Sequence, residues 1–311
     1  MDYTRSKAIL ERTLAYYQFK RDFTTVNDFF WSTDSALQAV SGRVRHMKDT
    51  EDFRTALGLG QPLYAKPLGH SPNVYAEQLK VGDRWHRLMA LVVMLSAFER
   101  YINSAATLAI ASDPTLTAGF PKKIDGLTLV KYGLTAGDRP TDRIIRGEWS
   151  ARRSAFVEYF SGAPAKMTEN EAELEIMRVK RNQIAHAFGL DSDRSTSPQT
   201  ALFLSARNPD IAKVSEFNIS RDRLKKWLAI VEQTATAVDR HLLDSFIGGY
   251  EVAAIYIEWV KDPDALHAAT GIKRDRRGST AKQLSKLLGN LLQYPVQYET
   301  AQGVIDYVDH L

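Results

Sequence analysis

The stretch from Asp83 to Ala111 restricts the possible folds more than any other part of the sequence. Its apolar residues recur at alternating steps of three and four positions, the repeat of one face of an α-helix. They are Trp85, Leu88, Val92, Leu95, Ile102 and Ala106. The one skipped place in this series holds Glu99. Because an unpaired carboxylate is costly in an apolar environment, the long helix is expected to meet a partner for this charge.

Helical spacing recurs along most of the chain, which predicts an all-α protein. Other helices are expected up to about Lys48, over Thr141–Phe160, from the capping box at Thr168–Glu171 to Gly189, after Ser220, and over Tyr250–Val260. The stretches between them are expected as loops, with short extended candidates at Leu127–Gly133, near "ALFLSA" and near "SEFNIS". The expected fold is therefore an all-α helical bundle with long irregular loops.

Three regions are expected from these patterns. Residues 1–82 form an N-terminal helical segment and a Gly/Pro-rich linker at Gly58–Asn73. Residues 83–260 form the main helical domain, and residues 261–311 form a small basic helical unit at the C-terminus. Arg276–Asn290 of this unit resembles the first half of a DNA-binding helix-turn-helix, but no clean recognition helix follows it. We therefore expect an appendage that docks a partner or binds nucleic acid.

Composition excludes several classes of site. The 311-residue chain has no cysteine, which excludes disulfides, thiol nucleophiles and Cys-based zinc or iron–sulfur sites. Its net charge of +4 permits a polyanionic partner without requiring one.

The N-terminus lacks an apolar signal core, and the longest apolar run, Leu88–Phe98, falls short of the ~20 residues that span a membrane. We expect a cytoplasmic protein with no membrane partner. We also expect no metal and no cofactor, because the sequence shows no HExxH or other clustered ligands.

A second charge interrupts an apolar pattern in the segment Met177–Gly189, "MRVKRNQIAHAFG". The regular apolar step through this segment falls on Arg181, which places this arginine on the packing face of its helix. His186 is five residues further on, about 140° around the helix. Asn182 and His186 are four residues apart and form a polar ridge beside the apolar stripe.

These residues have a structural explanation, in which Arg181 forms a buried ion pair with Glu99 and His186 is a hydrogen-bonded core histidine. Structural ion pairs are commoner in helical bundles than catalytic pairs are. Glu99 is then an anchor that orients Arg181 across a helix–helix contact. The alternative is chemical: a guanidinium that holds a phosphate and an imidazole that exchanges protons near neutral pH.

The window "RNQIAH", Arg181–His186, resembles the R-N-x-x-x-H signature of the HEPN superfamily, all-helical domains of which many are metal-independent endoribonucleases. The predicted helices that contain "LSAFERYI" and "GEWSARRSAFVEYF" also look like the family's pattern. The resemblance covers roughly residues 83–260. It implies a HEPN-like bundle that forms a homodimer, so that the single motif of each chain faces one shared cleft.

The resemblance also implies a reaction, in which the RNA 2′-hydroxyl attacks the neighbouring phosphate. His186 transfers the proton, Arg181 holds the anionic phosphate, and Asn182 binds a phosphate oxygen or fixes the tautomer of His186. Glu99 is either the anchor described above or a member of this catalytic set, and we favour the anchor. The implied biological role is a toxin–antitoxin or anti-phage defence effector, with RNA as substrate and an antitoxin or defence-system protein as a candidate partner.

Basic residues crowd the region before the motif helix. Two interpretations stand, a solvated charged face and a surface that binds RNA phosphates along the cleft. The candidates for RNA binding are Lys122, Lys123, Arg143, Arg146, Arg152 and Arg153. Because Arg152 and Arg153 are adjacent on a helix, they point in different directions, and some of the set is ordinary surface.

Two other functions remain open from the sequence. The first is a catalytically inactive HEPN module that binds nucleic acid or a protein partner as a scaffold or regulator. The second is a DNA-binding regulator that uses the C-terminal unit and loses duplex binding on truncation near Lys261. RNA cleavage that leaves a 2′,3′-cyclic phosphate separates the endoribonuclease from both.

Overall fold

The computed structural model describes residues 3–48, 57–58, 71–117, 124–134, 141–187, 190–191, 215–216, 218–264, 267, 280–292 and 296–311. Most of these residues are helical, so the all-α prediction is confirmed. The helices are α1 (Leu14–Val44), α2 (Pro72–Ser112), α3 (Gly126–Lys131), α4 (Asp142–Ile145), α5 (Trp149–Phe160), α6 (Ala165–Glu169), α7 (Glu171–Ala187), α8 (Arg221–Leu242), α9 (Tyr250–Lys261), α10 (Thr280–Leu292) and α11 (Tyr298–Asp309). A 3₁₀ turn (Pro114–Thr117) follows α2, and a π-helical turn (Leu243–Ile247) follows α8.

One short strand pair occurs among the described residues. β1 (Leu190–Asp191) pairs antiparallel with β2 (Ser215–Glu216), and Leu190 lies opposite Glu216. β2 falls within the extended candidate "SEFNIS". The candidate "ALFLSA" lies outside the described residues.

The extended segment predicted at Leu127–Gly133 is wrong, because most of it belongs to the helix α3. The carboxylate of Asp125 accepts a hydrogen bond from the Leu127 backbone N–H at 3.1 Å and caps the helix N-terminus. Gly126 lies so close to the preceding chain that a Cβ there would be 1.7 Å from the Ala111 carbonyl oxygen. The helical conformation of this segment thus depends on a local cap and on a close backbone approach. Hydrophobic periodicity detects neither of them.

The helix predicted over Thr141–Phe160 is two helices. α4 ends at Ile145 and α5 begins at Trp149, with Gly147 between them at φ +84°. That backbone conformation breaks a helix and favours glycine. The helix predicted over Tyr250–Val260 is confirmed as α9, which begins directly after Gly249, and Gly248 before it has φ +54°.

Two compact units divide the chain. Unit 1 comprises Met1–Arg21, Phe98–Leu174 and Ile230–Leu311, and unit 2 comprises Asp22–Ala97 and Glu175–Ala229. These bounds differ from the boundaries expected at residues 82 and 260. The C-terminal helices in particular do not stand apart, since α11 packs against α9 and α10 within unit 1.

Aromatic side chains fill the core of unit 1. Trp149, Phe156 and Phe160 lie on one side of α5 and are at most 1 % exposed, as the apolar spacing of this helix predicts. Phe98 of α2 stacks on Trp149 with ring centroids 5.7 Å apart. The core of unit 2 contains Phe30, Leu88, Leu91, Met94 and Trp227.

The helix α2 contains an 18-residue window with mean hydropathy 1.2, so length and composition alone would allow it to cross a membrane. Half of that window is buried inside the protein. The buried core helix of a water-soluble protein has the same properties, so a single helix of this kind is weak ground for placing a chain in a membrane.

Candidate functional site

The motif helix α7 buries one face and leaves polar residues of the motif partly accessible. Leu174, Met177 and Ile184 are at most 5 % exposed, which confirms the predicted packing face. Arg181 lies in register with this face and is half-buried, with its Nε atom fully buried. Asn182 is also half-buried. A guanidinium at the margin of a packed face can still present part of its donor edge to a phosphate.

His186 lies in the last turn of α7, on the same continuous helix as Arg181 and Asn182. The structure describes the backbone of His186 but not its side chain. The helix end expected at Gly189 lies outside the described residues. The four-residue spacing on a regular helix places Asn182 and His186 on one side. The helical backbone of the motif therefore agrees with the sequence, while the convergence of Arg181 and His186 on one ligand stays a prediction.

Glu99, the acid in the apolar seam of α2, binds an arginine of α5. Arg152 donates Nη1 to Glu99 Oε1 at 3.0 Å and Nε to the Gly147 carbonyl at 2.9 Å. Its guanidinium also lies 4.9 Å from the centroid of the Trp149 ring. The Arg152 side chain is 4 % exposed and that of Glu99 is 20 % exposed, so the pair is largely removed from water. Arg152 is thus a partner of the kind that Glu99 needs, and the contact expected between Glu99 and Arg181 stays a prediction.

This ion pair corrects one of the predicted RNA-binding residues. Arg152 is buried, and its donors are directed at groups inside unit 1, so it does not belong to an exposed basic surface. The adjacent Arg153 points elsewhere, as expected, and pairs with Glu171 at the start of α7. The candidates Lys122 and Lys123 lie outside the described residues.

The other two candidates for RNA binding are exposed and paired with acids. Arg143 donates Nη1 and Nη2 to the two oxygens of Glu158 at 2.9 and 2.7 Å. These hydrogen bonds lower the pKa of the Glu158 carboxyl below its usual value. Arg146 Nε lies 3.4 Å from a carboxylate oxygen of Asp142. The positive charge of this surface is therefore smaller than the run of basic residues suggests.

Two buried carboxylates that the sequence analysis did not single out lie at the N-terminus of α1. Asp239 of α8 is fully buried, and Glu251 of α9 is 6 % exposed. Burial raises the pKa of Asp239 to about 6 and that of Glu251 to about 8. A signal for Asp239 existed, because it lies between the buried residues Ala235 and Leu242 at helical spacing. It is an acid on an apolar face, like Glu99.

A cavity of about 310 Å³ in unit 1 has polar residues in its lining, including Arg5, Ser112, Asp125 and Tyr307. Arg5 donates to Asp125 Oδ1 at 3.0 Å, to Ser112 Oγ at 2.6 Å and to the Ile247 carbonyl at 2.8 Å. Tyr307 donates its hydroxyl to the other oxygen of Asp125 at 2.6 Å. These groups bind one another, so the cavity lining serves to hold the N-terminal residues in place.

Within the described ranges, no three or more His, Asp and Glu side chains are grouped so that they could hold a metal ion. The candidate site therefore consists of Arg181, Asn182 and His186 on α7, while Glu99 is bound to Arg152. No protein-family model, no curated protein and no solved structure matches this chain.

Proposed function

We propose that the protein is a metal-independent endoribonuclease of HEPN type that acts as a homodimer in the cytoplasm. The observation that carries the proposal is the R-N-x-x-x-H motif at the end of α7, where Arg181 and Asn182 are partly accessible while the apolar residues of the helix are buried. The helical architecture supports the proposal, because it supplies a rigid element on which the motif is presented.

The chemistry of the three side chains suits RNA cleavage by the 2′-hydroxyl. His186 accepts the hydroxyl proton, since an imidazole with an ordinary pKa of about 6.5 exchanges protons near neutral pH. The oxygen then attacks the adjacent phosphorus, and the 5′-oxygen leaves to give a 2′,3′-cyclic phosphate. Arg181 stabilises the anionic intermediate, because its guanidinium keeps its charge and matches two phosphate oxygens. Asn182 holds a phosphate oxygen or the tautomer of His186.

A homodimer supplies what one chain lacks. The reaction needs a base for the 2′-hydroxyl and an acid for the departing 5′-oxygen, and one imidazole cannot be both at the same moment. Each chain carries a single R-N-x-x-x-H motif. Two chains that face one cleft provide two imidazoles and two guanidiniums, so that one His186 acts as base and the other as acid.

The test is cleavage of a defined RNA by the purified protein in the presence of a metal chelator. We expect products that end in 2′,3′-cyclic phosphate. His186→Ala and Arg181→Ala each remove one chemical role, so we expect each to lower the cleavage rate at least ~100-fold, the contribution usual for a positioned acid or base. Both variants should keep the helical content and the oligomeric state of the parent.

Arg178→Ala is the matched control, because Arg178 lies on the same helix and binds Glu175 one turn away. We expect it to cleave RNA at nearly the parental rate. A His186→Ala protein that cleaves as fast as the parent would rule out the proposal. RNA binding without cleavage by the parent would identify an inactive module instead, and tight binding of duplex DNA would identify a regulator.

As a toxin or anti-phage defence effector, the active protein should arrest the growth of cells that express it. The same expression of the His186→Ala variant should not, because the damage comes from RNA cleavage. Growth arrest by both proteins would show that the toxicity does not come from RNA cleavage by His186.

A further inference from the structure

Residues 3–13 run across unit 1 before α1 begins, and we call them the N-terminal strap. Arg5 attaches the first part of the strap to the Asp125 carboxylate and to the Ile247 carbonyl. The Gly249 backbone N–H donates to the Arg5 carbonyl at 3.0 Å. The Tyr3 ring lies 5.3 Å from the Tyr307 ring, centroid to centroid. The strap is therefore docked through side chains and backbone.

The end of the strap and the start of α1 are held by two buried carboxylates. Thr13 donates its hydroxyl to Asp239 Oδ1 at 2.6 Å and its N–H to Oδ2 at 3.4 Å. The Leu14 N–H points at both oxygens of Glu251, at 3.1 and 3.2 Å. The first N–H groups of a helix need such acceptors, because no carbonyl precedes them in the helix. Here distant parts of the chain supply them.

The charges around this junction do not balance when both carboxylates are ionised. Within the described part of the chain, the one guanidinium within ion-pair distance of either is Arg12, 3.8 Å from Asp239 Oδ2. Tyr101 of α2 donates its hydroxyl to the Ala235 carbonyl at 3.0 Å and lies 3.4 Å from Asp239 Oδ1, and the Tyr16 hydroxyl contacts Thr236. The Tyr101 phenol is neutral, since burial and the neighbouring Asp239 hold its pKa well above its usual value.

We propose that the junction is a proton-controlled latch, in which neutral Glu251 keeps the N-terminal strap docked and ionised Glu251 favours its release. With Asp239 ionised and Glu251 neutral, one buried negative charge faces the one guanidinium of Arg12. Ionisation of Glu251 adds a second negative charge in the same interior. Release of the strap lets water reach both carboxylates and removes that cost.

The direction of the pH effect follows from linkage. Burial and Asp239 raise the pKa of Glu251 to about 8, so the docked state keeps a proton that the released state loses near the ordinary carboxyl value. Between these two values, the docked state is stabilised at low pH and loses that stabilisation as the pH rises. Each pH unit in this window multiplies the release equilibrium by up to about ten. Asp239 contributes only below about pH 6, where its own raised pKa lies.

Hydrogen–deuterium exchange of the full-length protein, corrected for the intrinsic pH dependence of amide exchange, measures this equilibrium. We expect a peptide that covers residues 3–16 to lose protection progressively from pH 6 to pH 8. A peptide within α5 should keep its protection over the same range. Glu251→Gln keeps an oxygen for the Leu14 N–H but cannot ionise, so its strap should show no pH dependence in this window.

Two further variants sharpen the test. Glu258→Gln changes an exposed glutamate of the same helix and should behave like the parent. The Asp239→Asn strap should still lose protection as the pH rises. The pH range over which protection is lost should end at a lower pH than in the parent, because the Asp239 charge no longer raises the Glu251 pKa. If Glu251→Gln does not fold, this downward shift of the pH range tests the latch in its place.

Three results with the parent and the Glu251→Gln variant would overturn the latch: a parental strap whose protection is constant from pH 6 to pH 8, a Glu251→Gln strap that loses protection as the parent does, or equal loss of protection in α5. The last result would mean that unit 1 opens as a whole. An Asp239→Asn protein with an unshifted window would contradict it as well.

Discussion

At the scale of single residues, the pair of Glu99 and Arg152 explains how α2 carries an acid in its apolar seam. The two side chains differ in burial: that of Arg152 is 4 % exposed, whereas that of Glu99 is 20 % exposed. Glu99 is the more accessible to water, whereas Arg152 carries its charge in the interior beside this carboxylate. Loss of the acid should therefore be more harmful than the ordinary loss of a surface ion pair.

We expect Glu99→Met to lower the free energy of unfolding by about 3 kcal/mol, because it leaves a buried guanidinium without its carboxylate. The double variant Glu99→Met/Arg152→Met should recover part of this loss, since two apolar side chains replace two charges. Urea denaturation followed by circular dichroism measures the free energy of unfolding of the single and the double variant. Arg143→Met, in an exposed pair with Glu158, should leave the urea midpoint unchanged.

The coupling between the two substitutions is the decisive quantity. If the double variant loses the sum of the losses measured for Glu99→Met alone and Arg152→Met alone, Glu99 and Arg152 do not act as a pair, and the burial argument is refuted. A loss in Arg143→Met as large as that in Glu99→Met would equally contradict it.

The sequence indicated that Glu99 needs a partner and suggested Arg181, but it did not point to Arg152. Helical spacing assigns a residue to a face of its own helix, and it carries no information on which helix packs there. Arg152 and Arg153 are adjacent, and only the structure shows that Arg152 is the buried one. Asp239 gave the same kind of signal as Glu99, since it also interrupts an apolar face.

At the scale of elements, glycines in left-handed conformations mark where the helices end. Gly147 has φ +84° between α4 and α5, and Gly248 has φ +54° before α9. Their surroundings differ. A Cβ at Gly147 would meet nothing within 4 Å, whereas one at Gly248 would lie 2.6 Å from the Arg5 carbonyl oxygen in the N-terminal strap.

We expect Gly147→Ala to cost about 1 kcal/mol of unfolding free energy, because it strains the backbone and touches nothing. Gly248→Ala combines that strain with a clash against the backbone of the strap, so we expect at least about twice this loss. Thermal unfolding of both variants beside the parent measures the difference. Equal losses would show that the strap does not pack against Gly248.

Most helices could be predicted from periodicity, and their boundaries could not. The apolar spacing of α2, α5, α7 and α8 identified each as a helix and identified its buried face. The helix α3 was missed because it depends on the Asp125 cap and on the close approach of Gly126 to Ala111. α7 begins at Glu171 rather than at Thr168, since the short helix α6 precedes it. Local hydrogen bonds of this kind have no periodic signature.

At the scale of the whole molecule, the C-terminal helices are part of unit 1 and not an appendage. α11 buries Ala301, Val304 and Val308. It packs on α9, and Lys131 of α3 donates its ammonium to the Val308 carbonyl at 2.8 Å. The separate unit was expected from the basic run before α10, whereas the apolar face of α11 decides where that helix packs.

Truncation after Lys261 should therefore destabilise unit 1 and leave an exposed apolar surface on α9. We expect the truncated protein to unfold at a clearly lower temperature than the full chain and to bind a hydrophobic dye, which differential scanning fluorimetry measures in one experiment. A truncated protein with the parental unfolding temperature would show instead that residues 262–311 form an independent appendage.

The interleaved composition of the two units has a consequence for protein synthesis. Unit 2 ends at Ala229, so all its residues are synthesised while residues 230–311 of unit 1 are still untranslated. The N-terminal strap precedes its acceptors Asp239 and Glu251 along the chain, so it is synthesised well before them. The strap of the nascent chain therefore stays undocked until these acceptors have been synthesised. Unit 1 is complete only after α9, α10 and α11 have been synthesised, and a ribosome stalled before α9 leaves it open.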